Sequence, residues 1–453
     1  MPASAATLLK QQGYDIAWKD AIAEGWGYER FTDYVKLEAP DILAMETKTP
    51  IVRQHWQIIT EVKQRNPSTR FVLMGDHVTA FPKESLKECP ELDYVITGGD
   101  YDFSLLGIAD HVSKGTDLPP GIWFRQDGKI ASTGDFELTG DLDSLPMIDR
   151  DLTKFSLYRE FNIKHKPFAY TVAGRDCPYH RCRFCAWTTL YPTFRVRSPE
   201  SLLDEIGILI DKYGVREIFD DTGTFPSGGW LVRFCNGMIE RGYSKKVALS
   251  CNFRFDYLQN PAMAKLMKQA GFRLLKTGLE SANQKTLDLL DKGIKVEDIV
   301  NGCRIAREAK LDIHLTIMVG YPWETRDDAL NTLELARHLM TSGLAEVLQA
   351  TVVVPYPGTP LYQDSIDNGW FSINPTDYDR YDMTEPILVT PDMTPKEVME
   401  ICNRIYHNIF LSPGYIVRRL SKIRSLDDIK YHWYGVRAVL GHMKDFTRQQ
   451  INR

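Results

Sequence analysis

The chain has 453 residues, 43% hydrophobic and 25% charged, an ordinary globular composition whose length implies two or three domains. A net charge of −5 without a long basic stretch gives no reason to expect nucleic acid, and the short basic run 418–424 reads as a solvated helix face. No apolar run of about 18 residues offers a membrane span and no leader-like pattern opens the chain, so a cytoplasmic protein without a transmembrane segment is expected.

Residues 3–21 (ASAATLLKQQGYDIAWKDA) carry apolar side chains at helical spacing, and DILAMET, RFVLMGD and DYVITGGD then read as short apolar strands ending in turn residues. A helix-like HWQIITEVKQRNP lies between the first two. Strands alternating with helices predict a doubly wound, Rossmann-like parallel sheet over residues 1–125, with a ligand site beyond the carboxyl strand ends. Pro/Asp/Gly-rich text between residues 115 and 166 predicts a small hairpin and a linker, the linker taking 126–166. From 167 to 380, six strand patterns (FAYTVAG, EIFDDT, KVALSCNFR, RLLKTGLES, DIHLTIMVGYP, EVLQATVVVPYP) alternate with helices. They predict a partial (β/α)6 TIM-like barrel, with its chemistry at the C-terminal strand ends. Residues 381–453 form a C-terminal helical segment, with TPKEV as an N-cap followed by an acid. A lid over the barrel, a docking element and an inert cap are all open readings of it.

Eight cysteines divide into five scattered ones (Cys89, Cys235, Cys251, Cys303, Cys402) and three within CPYHRCRFC, residues 177–185. That is not a disulfide framework. Thiolates so close pair, bind metal or await oxidation. Three of them with no evident fourth ligand suit an iron-sulfur cluster with one open iron better than closed structural zinc, although a zinc knuckle or unrelated core cysteines remain alternatives.

This spacing resembles the radical S-adenosylmethionine superfamily. The resemblance implies that Cys177, Cys182 and Cys185 bind a four-iron four-sulfur (4Fe-4S) cluster whose open iron chelates S-adenosylmethionine, with Phe184 as the family's aromatic beside the last cysteine. It implies that Asp220 and Asp221 accept from the ligand's ammonium, that Arg254 pairs with its carboxylate, and that Glu280 and Ser281 in GLES hold ribose hydroxyls. Four residues rather than the usual three separate the first two cysteines, so a bulge is expected, either pushing Tyr179 or His180 toward the cluster edge or the facing domain or forming a solvent-facing kink without a role. VGYPWET and PYPGTPLY match further landmarks of the hopanoid and bacteriochlorophyll subgroup, and Trp187, Trp230, Tyr321, Trp323 and Tyr356 either wall a cavity or pack.

The first segment is similar to the cobalamin-binding domain that precedes many such cores. Gly75, Asp76 and His77 and then Thr97, Gly98 and Gly99 match its third and fourth strand-end loops. The usual first strand is missing. No Asp-x-His-x-x-Gly motif is present, so cobalamin without a histidine lower ligand is expected, His77 being a lone candidate. The resemblance implies a cobalamin-dependent radical C-methyltransferase, with a radical cyclase or rearrangement enzyme as the alternative and an iron-sulfur or cobalamin carrier as the non-enzyme reading. It also implies a flavodoxin- or ferredoxin-like electron donor and a small-molecule, lipid or peptide substrate.

Overall fold

The computed structural model describes residues 1–160 and 163–451; residues 161–162 of the expected linker and 452–453 of the expected C-terminal segment lie outside the described residues. In the first sheet β1 (Ile42–Glu46), β2 (Arg70–Met74) and β3 (Tyr94–Ile96) run parallel. The hairpin β4 (Ile122–Gln126) and β5 (Lys129–Ser132) docks antiparallel beside β3, giving the order β1-β2-β3-β4-β5. The sheet is therefore mixed rather than wholly parallel, because the expected hairpin joins it instead of standing ahead of the linker. Side chains alternate across the pleat. Phe71 and Leu73 pack with Trp56 and Ile59 beneath α2 (Tyr28–Glu38) and α3 (Val52–Arg65). Val72 and Met74 pack on the other face with Leu9 of α1 (Pro2–Gln11) and Ile108 of α6 (Tyr101–Lys114). Between β2 and β3 lie α4 (Asp76–Ala80) and α5 (Pro82–Glu88). Strand β1 is the edge of the sheet among the described residues and is half-exposed along its whole length.

The second sheet is wholly parallel. Its strands are β6 (Phe168–Thr171), β9 (Glu217–Asp220), β10 (Ala248–Phe253), β11 (Phe272–Glu280), β12 (Asp312–Val319) and β13 (Val347–Val352), in the order β13-β12-β11-β10-β9-β6, with a two-residue pair β7 (Gly174–Arg175) and β8 (Arg195–Val196) beside it. Each expected barrel strand is present. The connections are α7 (Trp187–Leu190) and α8 (Pro199–Asp211), then α9 (Gly228–Glu240), α10 (Pro261–Gln269), α11 (Gln284–Leu289) with α12 (Val296–Glu308), and α13 (Arg326–Thr341). After β13 comes α14 (Pro360–Asp367). Ile218, Leu249, Cys251, Leu275, Ile313 and Leu315 face these helices in one core, whereas the intervening Asn252, Lys276, Thr316 and Gln349 are half-exposed on the inner face.

Helices α15 (Pro395–Phe410), α16 (Pro413–Ser421) and α17 (Leu426–Ile451) complete the chain. Thr394 and Glu397 form a capping box at the start of α15, as TPKEV predicts. Asp427 and Asp428 pair with Arg216 and Lys164, and Arg419 and Lys422 with Glu346, all at the amino ends of barrel strands. The C-terminal segment thus closes the bottom of the barrel and is not a lid over its mouth. Among the described residues no helix is long and apolar enough to cross a membrane.

Candidate functional site

The carboxyl ends of the two sheets face each other, and the cysteine loop lies between them. Arg175, two residues before Cys177, donates to Asp100 at 2.8 Å and to Asp102 at 3.0 Å, both just beyond β3. Ser4 of α1 and Arg195 complete this buried network. Burial works against the Asp102 carboxylate, but the Arg175 guanidinium outweighs it and holds the carboxyl below its ordinary value. On the far side of the loop the Tyr191 hydroxyl donates to the Gly99 carbonyl at 2.8 Å, and the Gly99 N–H donates to Leu190 O at 3.1 Å.

The loop itself is threaded into the barrel mouth. Arg183 N–H donates to Leu290 O at 3.0 Å and its carbonyl accepts from Leu361 N–H at 2.9 Å, while Cys185 N–H closes a turn onto Cys182 O at 3.1 Å. The Cys177 sulfur lies 3.1 Å from Thr224 Oγ1. All three thiols are free. Burial pushes the Cys185 thiol up to about 12, with the Cys182 charge adding to it. Cys182 is raised by burial and by the Cys177 charge, but Lys292 and Arg254 draw it down. The three thiols are thus electrostatically coupled, and Cys182 also feels the two cations Lys292 and Arg254. Among the described residues no group of three His, Cys, Asp or Glu side chains is placed to hold a metal ion.

The structure sorts the other expected residues. Asp221 is exposed toward the lumen, 3.5 Å from Asn252 Nδ2. Asp220 is buried and occupied instead, accepting from Thr171 Oγ1 at 2.8 Å and Thr222 N–H at 3.2 Å, so it locks β6 to β9; burial pushes its carboxyl up to about 6. The Nε and Nη2 edge of Arg254 is already taken by Asp256 at 2.9 and 3.2 Å, rather than offered to a ligand carboxylate. Glu280 sits at a register bulge with φ +59° and pairs with Lys292 at 2.8 Å. This pair folds over Gly278, where a Cβ would stand 2.0 Å from Glu280 Oε1, so only glycine fits. Ser281 is wholly buried, with its hydroxyl used by Thr332 and Asn283, and is a structural group rather than a ribose contact. Phe184 packs against Tyr321 and Leu290 with the Lys292 ammonium 5.5 Å from its ring centroid.

The extra loop residue turns His180 out to solvent at φ +30°, not toward the cysteines. Tyr179 turns back into the barrel mouth, its ring 3.9 Å beneath the Arg254 guanidinium and its hydroxyl donating to Asp291 at 3.0 Å. Of the five aromatics, Trp230 stacks on Phe234 and Tyr321 on Trp323 as packing, and Tyr356 bonds Tyr381 O; Trp187 alone of them is exposed, stacked on Tyr191.

In the first sheet His77 is not presented as a ligand. Its ring is fully buried among Trp56, Phe81 and Tyr378, with Nδ1 3.3 Å from Thr49 Oγ1. Gly98 and Gly99 are covered by the rings of Phe136 and Tyr191, which fill the faces that a ligand would touch. Thr97, with Thr79 of α4, borders a cavity of about 420 Å³ walled by Phe81, Trp123 and Phe136. Gly75 crosses closely over the Thr47 carbonyl, and Asp76 is buried, its carboxyl raised by desolvation. The Thr47 and Tyr101 hydroxyls beside them are buried without a hydrogen-bond partner.

Sequence reasoning missed Arg175, Lys292 and Asp176. Burial works against the Lys292 ammonium, but Glu280 and Cys182 outweigh it and hold its pKa above the ordinary lysine value. Asp176 is pushed up to about 7 by burial despite the Gly223 N–H. An acid directly before the first cysteine was the one available signal.

A parallel six-stranded barrel with three free thiols at its mouth, joined to a second α/β sheet, defines the class. Residues 171–336 match the family model described as the Radical SAM superfamily. An uncharacterized methyltransferase of Pyrococcus horikoshii is 25% identical over 97% of this chain and 92% of its own length. The anaerobic magnesium-protoporphyrin IX monomethyl ester cyclase of Cereibacter sphaeroides is 26% identical over 98% of this chain and 71% of its own. The same fold occurs in the radical S-adenosylmethionine methyltransferase TsrM of Kitasatospora setae, solved with cobalamin and a [4Fe-4S] cluster. TsrM has a TM-score of 0.72 and 14% identity, over 99% of this chain and 96% of that one.

Proposed function

We propose that this protein is a cobalamin-dependent radical S-adenosylmethionine enzyme that methylates an unactivated carbon. The observation that carries this reading is the apposition of the two sheets' carboxyl ends across the loop of Cys177, Cys182 and Cys185, held by Arg175 and Tyr191. Three coupled thiols under Lys292 and Arg254 fit an iron-sulfur cluster, because nearby cations favour thiolates. The first sheet fits cobalamin through the unpartnered Thr47 and Tyr101 hydroxyls, Asp76, and the cavity bordered by Thr79 and Thr97. It does not fit through His77, Gly98 or Gly99, which the fold already uses. When bound, these groups supply one-electron chemistry and a transferable methyl group.

The chain's own part is positioning. Asp221 and the Glu280–Lys292 pair offer polar groups to S-adenosylmethionine at the strand ends. A low-potential donor such as flavodoxin or ferredoxin would deliver the electron, and eight unpaired cysteines suit the reducing cytoplasm.

Anaerobic reconstitution with iron, sulfide and hydroxocobalamin tests the reading. The expected results are reductive cleavage of S-adenosylmethionine, one cobalt per chain and a product heavier by one methyl. Cleavage with a product of unchanged mass would support cyclisation or rearrangement, and no cleavage would leave a carrier protein.

A further inference from the structure

The barrel interior holds a cation that the fold does not use. Lys276 on β11 alternates with the buried Leu275 and Thr277, so its side chain points into the lumen, in register with Asn252 on β10 and His314 on β12. One rung nearer the mouth, Gly278 aligns with Thr316 and Gln349, and above them Met318 aligns with Thr351. Lys276, Thr316, Gln349 and Thr351 are all half-exposed, and their side chains make no hydrogen bond or ion pair among the described residues. Asp221 lies across Asn252 and feels the Lys276 charge without pairing with it. Arg273 below is committed to Glu217, at 2.9 Å through Nε.

The lumen is shut beneath this rung by the Glu217–Arg273 pair and the C-terminal helices, and above it lies the cysteine loop. An unpartnered ammonium with the Thr316 hydroxyl and the Gln349 amide one rung nearer the mouth, in a lumen closed at one end, is arranged to receive an oxyanion.

We propose that the lumen holds an oxyanion of the substrate, a carboxylate or phosphate, on Lys276 with Thr316 and Gln349 donating to it. This rests on the reading of the lumen as the substrate chamber. Because of the bulge, Lys276 lies three register positions below Glu280, about 10 Å along the strand. The substrate class is therefore an extended molecule with its anionic group at one end and its reacting carbon near the other.

The test uses two fluorescent probes that differ in charge alone, 1-pyrenebutyrate and 1-pyrenebutanol, titrated into the reconstituted protein. The carboxylate should bind about tenfold tighter or better. Lys276→Met should equalise the two and Lys276→Arg should keep most of the preference. Thr316→Val and Gln349→Leu should each weaken carboxylate binding several-fold, and Lys430→Met, an exposed cation on α17, should change nothing. Displacement by acetate at lower concentration than inorganic phosphate assigns a carboxylate, and the reverse order a phosphate. Equal affinities, no binding of either probe, or a preference that survives Lys276→Met would overturn the proposal. The readout needs no turnover, so a missing methylated product would count against methyl transfer and leave this subsite standing.

Discussion

Replacing Arg175 by Met should separate the two halves of the site. Arg175 and Asp102 are 4% and 0% exposed, and the guanidinium is the principal neutralising group for Asp102 and shares Asp100 with Arg195. Removing one member of a buried pair strands the other charge at about 3–5 kcal/mol. At roughly 2 °C per kcal/mol for a unit of this size, the apoprotein's melting temperature should fall by about 6–10 °C. A second change, Asp102→Asn in the Arg175→Met background, removes the stranded charge and should restore much of the loss.

The pH dependence follows from the sign of the shift. In the parent chain the folded Asp102 pKa is depressed, so its contribution is present above the unfolded value of about 3.9 and is lost only as pH falls through the lower folded value. In Arg175→Met burial is still opposed by the hydrogen bonds from Ser4 and the Phe103 N–H but no longer by the guanidinium, so that pKa should rise and the deficit should open above the unfolded value and grow with pH. Melting scans at pH 5 and 7.5 should show a smaller gap between parent and variant at pH 5. A gap under about 2 °C at pH 7.5, a constant gap, or no rescue by Asp102→Asn would refute the assignment of this network as the tie between the sheets.

Other outcomes follow from the same geometry. Cys177→Ser, Cys182→Ser and Cys185→Ser should each abolish the visible absorbance and iron content of the reconstituted protein, whereas Cys235→Ser, in the outer core, should retain both. Gly278→Ala drives a methyl into the Glu280–Lys292 pair and should weaken S-adenosylmethionine binding, measured calorimetrically, by about tenfold or more while iron content stays near that of the parent. His180→Ala should leave the cluster potential unchanged because the ring faces solvent, and Tyr179→Phe should cost about 1 kcal/mol through the lost bond to Asp291. Glu324, buried with one carboxylate oxygen unpartnered, is pushed up to about 8 by desolvation. The parent should therefore lose stability as pH rises from about 5 to 8, and Glu324→Gln should flatten that slope in melting scans.

The barrel strands were legible because each is a short apolar run ending in polar or turn residues, and the thiol loop because bunched cysteines have few explanations. The hairpin at 122–132 was legible as a hairpin, but its seat was not, since the bonds that place it join Thr97 to Gly121 across the chain. The same limit governs the site. Asp220 and Asp221 are alike in sequence, yet one is spent on Thr171 and the other faces the lumen, because successive residues at a strand end point to opposite sides. Tyr179 and His180 were equal candidates for an inward turn until Arg254 and Asp291, from distant strand ends, claimed the tyrosine and left the histidine outside. Local text therefore locates a binding region, and competition among buried partners decides which side chains remain for a ligand. By that criterion the groups left over, Asp221, Lys276, Thr47 and Tyr101, are better guides to what the chain binds than the motif residues already bonded to their neighbours.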